Sequence, residues 1–165
     1  AEVGYIVAAN GKAYATSDKS WVETNSAIVG MVACKNDSSG IVLAKSNASG
    51  SYKWSNACSY SASAGNYYVS NLSSTTSKEW ICGSGAQYQS ALTGRWATYV
   101  SASSFYTAST IDSRLSSAGC DQLGSSNGYW SSTKFDNTDA WLFWNGTWDY
   151  YSTNSDVSVR PLFAF

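Results

Sequence analysis

Histidine is absent from this 165-residue chain, and its absence excludes several kinds of site. Without an imidazole there is no Ser-His-Asp or Cys-His nucleophilic centre, no HExxH zinc site and no histidine-based proton transfer. The cysteines cannot replace it, because Cys34, Cys58, Cys82 and Cys120 form no CxxC pair of the kind that holds zinc. We therefore expect no metal, no cofactor and no enzymatic activity.

Charged residues are also scarce. Ten lysines and arginines are set against 11 aspartates and glutamates, which leaves a net charge of −1. A nucleic-acid-binding protein needs a basic stripe that neutralises phosphates, so the composition predicts no nucleic-acid partner. Long apolar runs are missing as well, and the sequence predicts no segment inserted into a membrane.

Proline occurs once, at Pro161, and no extended linker interrupts the chain. Residues 1–165 are therefore predicted to form one domain, which is long enough to bury roughly 70% of its unfolded surface. The even number of cysteines in a chain rich in serine, asparagine and tyrosine suggests one or two disulfides and an oxidising compartment. Four free thiols are the alternative, and three full pairings stay open.

Aromatic residues are what the chain has in excess, with eight tryptophans and 12 tyrosines. Tyrosine and tryptophan give rigid, amphipathic contact area at low entropic cost, and binding surfaces are rich in them. A β-rich core filled with large side chains is the alternative interpretation. That alternative weakens towards the C-terminus, where the aromatic residues are densest.

The first 45 residues predict short strands and one helix. Strands are expected at 3–7 and 12–16 around a type I′ turn at Asn10-Gly11, followed by a helix that Ser17 caps and that runs to Asn25. The apolar run at 27–34 is typical of a central strand buried on both faces, with 41–44 returning as its hairpin partner.

The rest of the chain is less regular until its end. Residues 46–95 are predicted as loops with one short helix. A further helix is expected over 102–118, because Phe105, Ala108, Ile111 or Asp112, and Leu115 recur at helical spacing. Strands and turns follow from Tyr129. The predicted fold class is α+β: antiparallel sheets with two short helices and extensive irregular loops.

Asn145-Gly146 between two aromatic runs is the strongest hairpin signal in the sequence. A two-residue turn there pairs Trp144 with Thr147, Phe143 with Trp148 and Leu142 with Asp149. Because side chains alternate along a strand, two faces follow. We expect the aromatic face of Trp141, Phe143 and Trp148 to be core, and the mixed face of Leu142, Trp144, Thr147 and Asp149 to be exposed.

The tail carries three motifs: Tyr129-Trp130-Ser131-Ser132-Thr133, Ala140-Trp141-Leu142-Phe143-Trp144-Asn145-Gly146-Thr147-Trp148 and Val159-Arg160-Pro161-Leu162-Phe163-Ala164-Phe165. Together they resemble the C-terminal region of variable proteins encoded by diversity-generating retroelements. Gly11-Lys12-Ala13-Tyr14-Ala15-Thr16 and Val29-Gly30-Met31-Val32-Ala33 are similar to the same group. The resemblance implies a C-type-lectin-like fold of the formylglycine-generating-enzyme subtype, with a variable ligand-binding region at about 129–158.

The family's mechanism of variation implies which residues face the ligand. A reverse transcriptase miscopies adenines, so AAY asparagine codons diversify at ligand-facing positions. Carried over position by position, the resemblance implies this ligand-binding set: Phe135, Asp136, Asn137, Thr138, Asp139, Leu142, Trp144, Asn145, Thr147, Asp149, Tyr150, Tyr151, Ser152, Thr153, Asn154, Ser155 and Asp156. Trp144 departs from the pattern, because AAY codons cannot become tryptophan codons. Tyr150 lies on the core-like face, so we expect the strand to end or bulge before it.

The resemblance also implies an invariant structural frame: Trp130, Trp141, Phe143, Gly146, Trp148 and Arg160. Arg160 is a lone basic residue in an apolar closing strand, and a structural hydrogen-bonding role is the preferred interpretation.

The resulting expectation is a secreted or surface-displayed protein, on a cell or a phage virion, that binds a protein or glycan on another cell or virus. One alternative is a structural tip module of a pilus or phage fibre. Another is a carboxylate-based glycan-active enzyme, since Asp136, Asp139, Asp149 and Asp156 lie near aromatic rings. Solvated turn aspartates are the preferred explanation of those carboxylates.

Overall fold

A computed structural model describes residues 1–67 and 76–165 and has an α+β architecture. The described residues contain ten strands and four α-helices. The strands are β1 (Ile6–Ala8), β2 (Ala13–Tyr14), β3 (Ile28–Lys35), β4 (Gly40–Ala44), β5 (Ser61–Tyr67), β6 (Thr76–Ile81), β7 (Tyr129–Lys134), β8 (Asp139–Trp144), β9 (Thr147–Ser152) and β10 (Leu162–Ala164). The helices are α1 (Lys19–Asn25), α2 (Trp54–Cys58), α3 (Gly85–Thr93) and α4 (Ala108–Ser117).

The larger sheet has seven strands in the order β2-β1-β3-β4-β10-β6-β5, and its paired strands are antiparallel. The prediction of a central strand from the apolar run at 27–34 is confirmed, because β3 is buried along most of its length. Its predicted hairpin partner is β4, which is wholly buried. The last strand of the chain, β10, lies inside the sheet between β4 and β6.

The N-terminal hairpin forms, but not with the predicted turn. β1 and β2 pair Ile6 with Tyr14 and Val7 with Ala13, so the connection is longer than two residues. Gly11 has φ +82°, whereas Asn10 does not adopt a positive φ. A type I′ turn needs positive φ at both central residues, so that prediction is wrong. The Asn10 side chain instead accepts a hydrogen bond from the Lys12 amide at 3.1 Å.

The middle of the chain is more regular than predicted. The segment 46–95 holds α2, α3, β5 and β6, where only loops and one helix were expected; residues 68–75 lie outside the described part. With α1 and α4 this makes four α-helices, against the two of the predicted fold class and the one short helix expected in this segment. α3 begins at a capping box in which Ser84 and Gln87 exchange hydrogen bonds, and it ends at Gly94 with φ +74°.

α4 is shorter than the predicted helix over 102–118. It starts at Ala108, and Phe105 precedes it with 69% of its surface exposed. Ile111 and Leu115 do form its buried face. Helical spacing therefore identified two of the inward positions, but Phe105 belongs to an extended segment that pairs with Thr147.

The predicted disulfides are not present. All four cysteines are free thiols: Cys34, Cys82 and Cys120 are buried, and Cys58 is exposed. Burial raises the pKa of Cys82 to about 12 and that of Cys120 to about 11, so both stay protonated at neutral pH. These thiols pack as small apolar groups, which a cysteine count alone does not distinguish from disulfide partners.

The smaller sheet has the order β7-β8-β9 and carries the predicted hairpin. Its register pairs Trp144 with Thr147 and Leu142 with Asp149, as the sequence predicts. Asn145 and Gly146 have φ +45° and +90°, the positive pair that a type I′ turn requires. The strand β9 continues in register through Tyr150 to Ser152, so the expected break before Tyr150 is wrong.

One cluster of buried side chains joins the two sheets, extending from Ile6 to Leu162. Tyr88 on α3 connects them directly. Its ring lies 4.8 Å from that of Phe143 in the small sheet, and its hydroxyl donates to the Arg160 carbonyl oxygen at 2.6 Å. The small sheet is thereby fixed against the large one. Within the described ranges, no helix has the length and apolar character needed to cross a membrane.

Candidate ligand-binding surface

Position in the small sheet decides which side chains of the tail are exposed. β8 is the central strand, and its residues Ala140 to Phe143 are buried on both faces. β9 is an edge strand, and only Trp148 is buried in it. Alternation alone predicted an exposed Leu142, but this side chain is only 3% exposed because Trp130 of β7 lies beside it. That part of the prediction is wrong.

A cleft of about 530 Å³ opens on the face of the sheet to which Leu142 belongs. Trp144 and Tyr151 line it and remain 45% and 52% exposed. Asp156 is a further member of the lining. The complete lining is Ser51, Ser126, Asn127, Gly128, Leu142, Trp144, Tyr151, Asp156, Val157 and Ser158. The cleft thus combines two exposed aromatic rings with hydroxyl, amide and carboxylate groups, which is the usual composition of a ligand site.

The loop before β7 forms one wall of the cleft and is held at both ends. Both carboxylate oxygens of Asp112 on α4 accept backbone hydrogen bonds, from Leu123 at 2.7 Å and Gly124 at 3.1 Å. The Trp144 indole N–H donates to the Ser125 carbonyl oxygen at 2.6 Å. Trp144 is therefore both exposed and fixed in orientation, which lowers the entropy that a ligand contact would cost.

The opposite wall is built from two segments distant in sequence. Tyr52 and Val157 exchange backbone hydrogen bonds at 2.8 and 3.0 Å, and the Trp54 amide donates to the Thr153 carbonyl oxygen at 3.1 Å. The Lys53 ammonium lies 3.5 Å from the Asp156 carboxylate and also donates to the Asn154 carbonyl oxygen. The chain after β9 is therefore an ordered strap. The ion pair is half exposed and adds little to stability.

The other face of the small sheet carries a second aromatic group. Phe135 and Tyr150 stack with ring centroids 3.7 Å apart, and both rings meet Trp141 edge-on at 5.1 and 5.6 Å. Phe135 is 43% exposed and Tyr150 is 39% exposed. Because Tyr150 pairs with Trp141 and Tyr151 pairs with Ala140, the two neighbouring tyrosines project from opposite faces of the sheet. The predicted ligand-binding residues thus occupy two faces instead of one.

Most of the predicted ligand-binding residues are accessible, with three levels of burial. The half-buried ones are Asp139, Thr153 and Ser155, and the buried one is Leu142. The exposed ones are Phe135, Asp136, Asn137, Thr138, Trp144, Asn145, Thr147, Asp149, Tyr150, Tyr151, Ser152, Asn154 and Asp156. The structure brings Leu142, Trp144, Tyr151 and Asp156 together in the cleft and leaves Phe135 and Tyr150 on the opposite side.

The predicted frame residues are almost all buried. Trp130, Trp141, Phe143 and Trp148 are each less than 8% exposed. The Trp130 indole N–H donates to the Tyr52 carbonyl oxygen at 2.7 Å, and the Trp130 amide donates to the Ser158 carbonyl oxygen at 3.0 Å, which ties the strap to β7. The Phe143 ring packs against Tyr88 of α3, and the Trp148 indole N–H donates to the Gln89 side chain on the same helix.

Arg160 is fully buried and serves as a hydrogen-bonding hub. Its guanidinium donates to the carbonyl oxygens of Ala44, Lys45, Asp121 and Gln122 and to the Asn47 side chain. Its interactions keep the 121–122 segment beside β4, upstream of the cleft wall. Burial lowers its pKa without neutralising a group so basic.

The aspartates of the tail have local partners. Asp136 accepts hydrogen bonds from the amides of Thr138 and Asp139, each at 2.8 Å, and these bonds lower its pKa. Asp149 accepts one from the Tyr150 amide at 2.8 Å. Asp136 is therefore anionic at neutral pH and suited to holding a turn. Among the residues that the structure describes, no three histidine, cysteine, aspartate or glutamate side chains are grouped to hold a metal ion.

Sequence reasoning missed six residues that line the cleft. They are Ser51, Ser126, Asn127, Gly128, Val157 and Ser158. The Gly124-Ser125-Ser126-Asn127-Gly128 run does indicate a loop. Its position over β8 depends on the distant anchors Asp112 and Arg160, which no local pattern shows.

Comparison with known proteins does not add to this description. No protein-family model matches the chain, and no significant match is found among curated proteins.

Proposed function

We propose that this chain is a ligand-binding protein of receptor or adhesin type that recognises a protein or a glycan through the surface formed by its tail. The cleft beside Trp144 and Tyr151 is the centre of that surface. The proposal includes a C-type-lectin-like fold, diversification by a retroelement, and a position outside the cell, on a cell surface or on a phage virion.

The observation that carries the proposal is the division of the hairpin into a buried frame and an exposed edge. Trp141, Phe143 and Trp148 are anchored in the core, whereas Thr147, Asp149 and Tyr151 touch mainly solvent. Substitutions at exposed positions away from special features usually change stability by less than about 0.5 kcal/mol. The edge strand can therefore change its chemistry while the fold persists, which is what a diversified recognition surface requires.

The fold assignment has its own support. Antiparallel sheets, short helices and long irregular connections accompany a tail that forms both the aromatic hairpin and an interior strand of the large sheet. The motifs that carry the resemblance occupy these same elements. Neither alternative gains comparable support. The Asp136, Asp149 and Asp156 carboxylates are engaged in local hydrogen bonds or an ion pair, and the cleft gives no reason for a purely structural tip.

Sequencing the gene from sibling isolates tests the proposal. We expect variation concentrated at 135–156, with free exchange at the exposed positions Thr147, Asp149 and Tyr151. Leu142 should stay apolar despite its place in the implied variable set, because a polar side chain at a 3% exposed site would lose its hydration. Trp141 and Trp148 should not vary.

A uniform tail across isolates would favour the structural-tip alternative. Variation spread evenly over the buried frame and the exposed edge would contradict the proposal, because the frame could not then be what maintains the surface. The paired comparison of Leu142 with Asp149 is the internal control, since these residues face each other across β8 and β9.

A further inference from the structure

A second cleft lies beside the hairpin, outside the tail that forms the proposed ligand-binding surface. It has a volume of about 490 Å³ and lies between α3 and the chain from Arg95 to Thr107. Gly94, with φ +74°, ends α3 and turns the chain so that Arg95 and Trp96 follow along the cleft. Phe105 forms another side.

Two large aromatic side chains of this cleft are exposed to solvent instead of being packed in the core. Trp96 is 46% exposed and Phe105 is 69% exposed. The backbone of Phe105 is nonetheless held in place: its carbonyl oxygen accepts from the Gln89 side chain at 3.2 Å, and it pairs with Thr147 in an antiparallel bridge. Exposed aromatic side chains on an ordered backbone suit a protein interface, where tryptophan, phenylalanine and arginine are enriched.

The cleft carries positive charge only. Arg95 is its one charged residue; the rest of the lining is apolar or carries hydroxyl and amide groups. Within the described part of the chain, the Arg95 guanidinium makes no ion pair and no side-chain hydrogen bond. An unpaired guanidinium beside two aromatic rings complements a carboxylate that has an apolar neighbour.

We propose that this cleft binds a short acidic segment of a partner protein. Arg95 receives the carboxylate, and Trp96 and Phe105 receive an adjacent apolar side chain. The site is independent of the proposed function, because its residues lie outside 135–156. It also adjoins the hairpin, because the Tyr106 amide donates to the Gly146 carbonyl oxygen at 3.1 Å.

A matched pair of peptides tests the proposal on the full chain. The probes are acetyl-Phe-Asp-Phe-amide and acetyl-Phe-Asn-Phe-amide, which differ only in the charge, titrated into the isotopically labelled protein and followed by amide NMR shifts. We expect the aspartate peptide to bind at least about fivefold more tightly, because a charge-assisted hydrogen bond at a part-exposed site is stronger than a neutral one. The largest shifts should lie at 93–97 and 105–107.

Two variants and a control test whether the Arg95 charge and the Phe105 ring contribute to binding. Arg95→Gln should remove the preference for the aspartate peptide, and Phe105→Ser should weaken both peptides. Lys12→Gln removes the same charge from an exposed position outside the cleft and should change neither affinity. Amide spectra of each variant establish that it remains folded.

Several results would overturn the assignment. They are equal affinity for the two peptides, a preference that survives Arg95→Gln, absence of binding at millimolar peptide, and shifts centred on Trp144 and Tyr151. A stronger response to methyl glucuronoside than to the aspartate peptide would assign the cleft to acidic glycans instead. None of these results bears on whether the tail varies between isolates, so the two proposals fail separately.

Discussion

At the scale of single residues, local hydrogen bonds set the chemistry of the exposed acidic side chains. Asp136 binds the two backbone amides that follow it, and its oxygen also accepts from the Thr138 hydroxyl at 3.1 Å. The Asp149 carboxylate accepts a hydrogen bond from the Tyr150 amide. This backbone donor on the open edge of β9 is therefore not available to another strand. Capped edge donors reduce the tendency of such a strand to pair with another chain.

The Asp136 turn gives a pH prediction. Its hydrogen bonds lower the pKa of Asp136 in the folded state, so their stabilising effect is complete above the ordinary aspartate pKa of about 3.9 and is lost as the pH falls through the lower, folded value. Amide NMR should show Thr138 and Asp139 shifting together with a midpoint below about 3.9. Asp136→Asn should abolish that titration. A midpoint at or above the ordinary value would show that the bonds do not favour the ionised form.

Leu142 and Trp148 show how far residue-level prediction extends. Both were assigned to a face from alternation, and both assignments of face are correct. Trp148 is buried as expected, but Leu142 is buried too. Alternation gives the face on which a side chain lies, whereas the layers that cover that face come from β7, the 124–128 loop and the strap.

At the scale of elements, the tail hairpin is where local sequence specified structure most completely. Asn145 and Gly146 supply the positive φ angles, and the aromatic runs on either side supply the paired strands. The chain before α4 then lies against the turn. The hairpin is therefore both a local structure and a docking point for 105–107.

Gly146→Ala tests the hairpin. An added Cβ would be strained at φ +90° and would lie 3.0 Å from the Tyr106 carbonyl oxygen. We expect the free energy of unfolding in urea to fall by roughly 1–2 kcal/mol. Gly50→Ala is the control, because Gly50 has φ +81° with nothing within 4 Å and so lacks the contact. Equal losses of stability at the two positions would mean that the close approach of the added Cβ to the Tyr106 carbonyl oxygen costs nothing beyond the strain of the positive φ.

The segment 46–95 shows why other elements escaped prediction. β5 reads Ser-Ala-Ser-Ala-Gly-Asn-Tyr, and its small residues give no clear hydrophobic alternation. Its strand conformation comes from pairing with β6, for example Ala62 with Trp80. α3 did carry a readable signal, since Ser84, Gln87 and Gly94 match a capping box and a C-terminal glycine.

At the scale of the whole molecule, the last strand links the two sheets. β10 pairs with β4 and β6, and Leu162 is fully buried in the cluster that also contains Phe143. Because β10 lies between β4 and β6, completing the large sheet depends on contacts between segments far apart in sequence. The proposed ligand-binding surface is thus attached to the same core that closes the large sheet.

Leu162→Ala tests whether the sheets form one cooperative unit. Removing this side chain should lower the free energy of unfolding by about 2–5 kcal/mol. Hydrogen exchange measured by mass spectrometry should show protection falling together in β4 and β8, since one cluster supports both. Ala164→Ser, at an exposed position of the same strand, should have little effect. Loss of protection in β4 alone would show that the small sheet is stable independently.

The sequence by itself determined the α+β class, the central strands β3 and β4 and the register of the tail hairpin. These features follow from backbone preferences and from periodicity over neighbouring residues, which a linear pattern records. Tertiary structure alone decided that β8 is covered on both faces, that β9 continues in register through Tyr150 and Tyr151, and that the 124–128 loop and the strap enclose a cleft. Those outcomes depend on Arg160, Asp112 and Tyr52 contacting residues far away in sequence, and no local pattern encodes such distances.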